Sequence, residues 1–296
     1  MLLVFIKERI LNNIKKNITP WLFLLPFLVV YALFMIFPLV RGIQMSFYHK
    51  SYFSGSKFIG FGNYQAVLSD PTFNQDIFNV FYFAVATVII SVFLSLVVAA
   101  IFNRKGVTTY IMRSFIVAPL VLSVSVIGVL WQLLFTSGPG NSLLGIILGK
   151  DVQVLTSPFL SMWLIIIATL WWTLGTNVII FSAGLQSIPL ECYEAANLDG
   201  ASSVRIFFSI TLPLLSPLIV VVIILQTIAS FQLFGQPFII TAGGPFNTTA
   251  TPLMYIYGYL ATNVGFASAA SVILFFMMLV VSFVELFIIS RGETVD

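Results

Sequence analysis

Six stretches of this chain run apolar for about twenty residues or more, close to 21–42, 77–102, 114–135, 160–184, 214–237 and 266–290. A helix of about twenty residues crosses about 30 Å of hydrocarbon. No water-soluble core could enclose all six. Of the 296 residues, 59% are hydrophobic and 8% charged, against about a quarter charged in soluble domains. In lipid every backbone N–H and C=O must be satisfied internally, which leaves helices or a closed barrel. The runs are unbroken rather than alternating, which argues against a barrel. The expected fold class is an all-α polytopic membrane protein with six transmembrane helices and one membrane domain over 21–290. No separate soluble domain is expected.

An even number of spans puts both termini on one side. Lys7, Arg9, Lys15, Lys16, Arg104, Lys105, Arg113, Arg205 and Arg291 fall on that side, nine in all, against four on the other: Arg41, Lys50, Lys57 and Lys150. Basic residues stay cytoplasmic, so the N- and C-termini and the loop 185–213 are expected in the cytoplasm. The net charge of +3 follows this topology and calls for no nucleic acid. Residues 1–20 alternate apolar and basic positions. They suit an amphipathic helix on the inner leaflet or a plain topogenic tail. The first apolar run is too long for a signal peptide and lacks a small-residue cleavage site, so it reads as a retained span. One cysteine, Cys192, and one histidine, His49, exclude an internal disulfide and a metal cluster built on those residues.

The outer connections carry turn chemistry. Ser69-Asp70-Pro71 is a helix-start or turn signal within 43–76. SGPGNS marks a turn in 136–157, and TAGGPFNTTATP fills 241–252. Residues 253–261 are apolar but too short for a seventh span, and are expected to lie at the interface or to form a scoop. Pro26, Pro38, Pro119 and Gly175 are candidate kinks, though ordinary helix packing explains them equally well.

Between spans four and five lies a polar segment, EAANLDGASSVRIFFSITLP over 194–213. Pro189 suits a helix start, and a short helix is expected from Leu190 to about Asn197. Gly200 suits its end, Ser202 or Ser203 the next cap, and Pro213 a bend into span five. Glu191, Glu194 and Leu198 share one face by i, i+3, i+7 spacing. Ala195 and Ala196 leave room for another backbone. Such a helix has the shape of a plug for a soluble partner.

The order Glu194-Ala195-Ala196, then Gly200, Ile210 and Leu212-Pro213 resembles the cytoplasmic loop of the permease subunits of bacterial ABC importers. The segments FLLPFLVVYALFMIFPLVRGIQMSF, FIGFGNYQAVL and TAGGPFNTTATPLMYIYGYLA are similar to the carbohydrate-uptake branch of type I importers, in a shorter six-span form of the larger maltose-system permease. The resemblance implies that Glu194, Ala195, Ala196 and Gly200 couple to an ATP-hydrolysing subunit. It implies two copies of that subunit, which hold the ATP and Mg, and a second, related permease. It also implies an extracellular solute-binding protein and a carbohydrate substrate. This chain itself is expected to hold no cofactor and no catalytic residue.

Spans four and five are rich in polar and aromatic residues for membrane segments. Trp171, Trp172, Thr173, Thr176 and Asn177 lie on span four. Gln226, Ser230, Gln232 and Gln236 lie on span five, together with Thr227. Thr173, Thr176 and Asn177 form one stripe, and Gln226/Ser230 and Gln232/Gln236 are i, i+4 pairs. Amides and hydroxyls suit sugar hydroxyls, and indoles suit sugar rings. Hydrogen bonding between helices is the competing use, as interfacial anchoring is for the indoles. The resemblance places the family's sugar site on these same two spans. Glu285, the one acid inside an expected span, could pair with a base, reach the interface or move a proton.

The chain has no GxxxxGK[ST] loop, no HExxH and no catalytic triad. A gradient-driven transporter or channel is the alternative. It would call for buried ionisable groups and inverted repeats, of which Glu285 alone answers the first.

Overall fold

The computed structural model describes residues 20–51, 55–102, 107–136, 143–149 and 153–292. The basic segment 1–19 and the SGPGNS cluster at 137–142 lie outside these residues. Helix α1 is a candidate span over Pro20–Ser46. A hairpin of β1 (Tyr48–Ser51) and β2 (Gly55–Phe58) follows, then α2 (Gly62–Ser69). Span two is α3 (Pro71–Ile101). Span three is α4 (Val107–Val117) and α5 (Val124–Phe135), followed by the short α6 (Leu143–Leu148). Span four is α7 (Pro158–Ser187), and α8 (Leu190–Leu198) lies between the spans. Span five begins with α9 (Ser203–Ile206) and continues as α10 (Leu212–Phe231). Next come α11 (Gly235–Ile240), α12 (Pro252–Leu260) and α13 (Val264–Gly292), the sixth span. At nine residues α12 is too short to cross a bilayer.

Four prolines, Pro26, Pro38, Pro213 and Pro217, fall inside helical runs without breaking them, and two of them follow a π turn. A proline removes one backbone donor and crowds the carbonyl four residues back. The π turn Ala32–Ile36 precedes Pro38, and the π turn Phe207–Thr211 precedes Pro213. In each, the next residue donates five residues back, Phe37 to Ala32 and Leu212 to Phe207. The wider turn absorbs the misfit, so helical structure continues through Pro213 where a bend was expected. Pro26 lies within α1 without a break.

Pro119 behaves differently. The third span is not one straight helix. A 3-10 turn over Ala118–Val121 ends at Leu122, and the segments Tyr110–Val121 and Val124–Phe135 meet at 101°. Ser123 starts the second segment, its hydroxyl accepting from the Val126 amide at 3.4 Å. The carbonyl freed at Leu122 accepts the Trp172 indole N–H at 3.1 Å.

Asp70 caps α3 by accepting from the Thr72 amide at 2.8 Å, with Pro71 in the first turn. The Tyr255 hydroxyl also donates to it. Burial alone would raise the Asp70 carboxyl. The hydrogen bonds from Tyr255, Thr72 and Phe73 outweigh burial and hold it below the usual carboxylate range. Because α3 starts at Pro71, Asp76 also lies inside a helical span, where only Glu285 was expected. Asp76 is buried, and its Oδ1 has no partner among the described residues.

Among the described residues the bundle holds four apolar clusters, the two largest toward its two ends. At the end carrying the hairpin and α12, Phe73, Val80, Phe231, Tyr255 and Leu274 pack together. At the end carrying α8, Leu96, Ala99, Phe181, Leu185 and Leu215 do so. Lipid tails are as apolar as leucine, so close packing and polar links must hold such a bundle. Buried Ser91, Ser95 and Ala99 on α3 permit that packing. By contrast, the most apolar window of α1 has none of its residues buried, and α1 meets the bundle through its contact with α13.

Candidate functional site: a polar cavity joined to an exposed docking helix

A cavity of about 520 Å³ opens between α7 and α10, within the ~300–1,000 Å³ range of small-molecule sites. Eight of the nine expected path residues line it: Trp172, Thr173, Thr176, Asn177, Gln226, Ser230, Gln232 and Gln236. Trp171 does not. It precedes Trp172 by one position, about 100° around the helix, and lies edge-on to Trp131 at 6.1 Å in a separate apolar cleft.

The stripe on α7 runs farther than expected. Thr169, one turn before Thr173, also lines the cavity and is buried. Its hydroxyl has no partner among the described residues. The i, i+4 spacing to Thr173 was a usable signal. Phe83 of α3 and Phe234 also face in, and neither carries a polar mark that could single it out in an apolar run.

Several lining residues also tie helices together. Asn177 Nδ2 donates to Ser91 Oγ at 2.8 Å and to Gln226 Oε1 at 3.2 Å. The Thr87 and Ser230 hydroxyls lie 3.1 Å apart. Ser230 Oγ donates to the Gln226 carbonyl at 2.8 Å, and Thr173 Oγ1 to that of Thr169 at 2.8 Å. Spans two, four and five are thus pinned at cavity level, and the two competing uses coexist in the same side chains.

Gln232 and Gln236 do not form an i, i+4 pair on one helix. The helix ends at Phe231, and α11 starts at Gly235. Tight bonds close that end, Gln232 to Ala229 and Leu233 to Ser230, and the freed Leu233 carbonyl accepts the Thr251 hydroxyl at 2.8 Å. Both glutamines reach the cavity from the irregular stretch and from α11.

Glu285 is half-buried and accepts the Thr227 hydroxyl of α10 at 2.7 Å. Its Oε2 has no partner among the described residues. It links spans five and six and does not line the cavity.

At the opposite end, α8 follows an extended Pro189 that acts as its N-cap, one position ahead of the first helical residue. Gly200, with φ of 72°, reverses the chain after it. Ser202 caps α9, accepting from the Arg205 amide at 3.3 Å. Glu191, Glu194, Ala195 and Leu198 are exposed, Leu198 at 89%. Ala196 faces the other way. At 8% exposure it packs toward the chain's own spans and offers no room to another backbone. Tyr193 also faces inward, its hydroxyl 3.2 Å from that of Thr211. The outward face of α8 is therefore Glu191, Glu194, Ala195 and Leu198, on a helix held to the foot of the bundle through Tyr193 and Ala196. In chain order α8 lies directly between α7 and α9–α10, two of the spans that line the cavity.

A family model described as a binding-protein-dependent transport system inner membrane component matches residues 91–290. Over 92% of its length the chain is 34% identical to the sulfoquinovosyl glycerol transport system permease protein SmoG of Agrobacterium fabrum, covering 90% of that protein. It is 31% identical to the arabinooligosaccharides transport system permease protein AraP of Halalkalibacterium halodurans, covering 92% of this chain and 88% of the relative. It is 33% identical to the trehalose/maltose transport system permease protein MalF of Thermococcus litoralis, covering 88% and 89%. Among solved structures, a bacterial alginate ABC transporter in complex with an alginate pentasaccharide-bound periplasmic protein matches with a TM-score of 0.84. That match has 22% identity and covers 97% of this chain and 99% of that one.

Proposed function

Because the chain belongs to the family of binding-protein-dependent transport system inner membrane components, we propose that it carries a sugar or oligosaccharide through the cavity between α7 and α10. The solute arrives on an extracellular binding protein that docks at the end formed by the hairpin, the 241–251 loop and α12. A second permease completes the path. Two ATPase subunits bind ATP and Mg, and their closure is transmitted through α8. Family membership sets the gradient-driven alternative aside.

The observation that carries this reading is mechanical. Helix α8 presents acids outward while Tyr193 and Ala196 fasten it inward. Its flanking helices are the cavity walls. A push on α8 therefore reaches α7 through Ile188 and Pro189 and α10 through the 199–202 turn and α9, and rocking of spans three to six would expose the cavity to alternate sides. The chain supplies walls, hydroxyls and a lever, and the hydrolytic chemistry belongs to its partners.

The test is ATP-dependent uptake of labelled sugars into vesicles carrying the assembled importer. Glu194→Lys is expected to lower uptake by about tenfold or more, since like charges facing across an interface cost several kcal/mol. Membrane insertion of the variant should stay normal. Uptake that ignores ATP, or ignores the charge reversal, would overturn the reading.

A further inference from the structure

We propose that the cavity selects an uncharged, hydroxyl-bearing solute and excludes carboxylated, sulfonated and phosphorylated ones. The inference rests on the importer reading and narrows its substrate class.

Among the described residues, no acidic or basic side chain lines the cavity. The Asn177 amide nitrogen is committed to Ser91 and Gln226, and the Ser230 hydroxyl to Thr87 and the Gln226 carbonyl. Trp172 has given its N–H to Leu122, so it offers a solute only its ring. Thr169 Oγ1 has no partner, and the side chains of Thr176, Gln232 and Gln236 make no hydrogen bond among the described residues. These free groups are hydroxyls and amides, each both donor and acceptor. They match the reciprocal donor and acceptor character of sugar hydroxyls.

An anionic group would leave water here and meet no cation, which is strongly unfavourable. Two helix starts border the lining, and neither presents a full set of free backbone donors to replace one. Ser123 occupies the start of α5 beside Val124, and Pro237 removes a donor from the first turn of α11. A cationic solute would meet no carboxylate. The rest of the lining, including Phe83, Leu225 and Phe234, is apolar and raises the cost of either charge.

Two measurements on the assembled importer test this. The first needs no known substrate. In a Cys192→Ser background, Thr176→Cys is reacted with anionic, cationic and neutral methanethiosulfonates of similar size. Ala229→Cys, also in the lining, serves as a second position should the first variant fail to assemble. Rates normalised to a free thiol should agree within about threefold for the two charged reagents, because no fixed charge attracts either. A bias of about tenfold or more would reveal a charge contributed by the facing subunit and overturn the inference.

The second measurement is uptake of matched pairs, such as maltitol with maltobionate and lactitol with lactobionate, which share the open chain and differ in the charge of one terminal group. The neutral member should be favoured by at least about tenfold in any pair transported. Equal or preferred uptake of the acid overturns the inference. Both ratios are read whatever drives transport, so loss of the importer reading and loss of neutral selectivity are separate results.

Discussion

Asn177 is asked to do two things at once. It lines the cavity, and its amide nitrogen bridges α3 and α10 through Ser91 and Gln226. Such links in membranes contribute about 0.6 kcal/mol on average and up to about 1.7. A double-mutant cycle of Asn177→Ala with Gln226→Ala, read by thermal unfolding in detergent, should therefore give a coupling of about 0.5–1.5 kcal/mol. Zero coupling would mean that the amide serves only the cavity. These residues were legible because polar side chains are scarce in spans four and five, so their helical spacing stands out. Thr169 sat on the same stripe one turn away and was passed over. The orientation of Ala196 was not legible, because neighbouring alanines on a short helix look alike until the bundle chooses which one to cover. Phe83 was hidden for the opposite reason, being one apolar residue among many.

The elements repeat that lesson one level up. The spans could be read because lipid demands long apolar helices, and α8 because its turn residues bracket it. The break at Leu122 was only half visible. Pro119 marked a candidate kink, but Pro38 and Pro213 look the same in sequence and are absorbed by π turns. What separates Pro119 is what surrounds it: Ser123 ready to cap and Trp172 ready to take the loose carbonyl. Gly175, the fourth candidate kink, does not bend α7 but brings it close to α4. A Cβ there would lie 2.7 Å from the Ile116 carbonyl oxygen and 3.1 Å from Val117 Cα. Both are backbone atoms that cannot swing aside. Gly175→Ala is expected to destabilise the protein by about 1–3 kcal/mol. Gly258→Ala, exposed on helix α12 where nothing lies within 4 Å of the new Cβ, should be neutral or stabilise by up to about 1 kcal/mol, since alanine is the better helix former. Equal thermal midpoints for the two variants would rule out the tight α4–α7 seam.

For the whole molecule, the two ends of the bundle carry different chemistry. One end holds the hairpin, the Asp70–Tyr255 contact and the 241–251 loop, which Asn79 fastens through the Asn247 and Ala250 carbonyls at 2.7 and 3.0 Å. The other holds α8. The bundle geometry relates these ends to each other but does not say which faces the cytoplasm. That assignment rests on the distribution of lysine and arginine, nine against four. The lone cysteine makes it testable. In a Cys192→Ser background, Ser56→Cys on exposed β2 and Asp199→Cys on the exposed turn after α8 place one thiol at each end. A membrane-impermeant maleimide should label Ser56→Cys in intact spheroplasts and Asp199→Cys only in inverted vesicles. The reverse pattern would put α8 outside, away from any source of ATP, and a lever with nothing to push it could not drive the cavity it is fastened to.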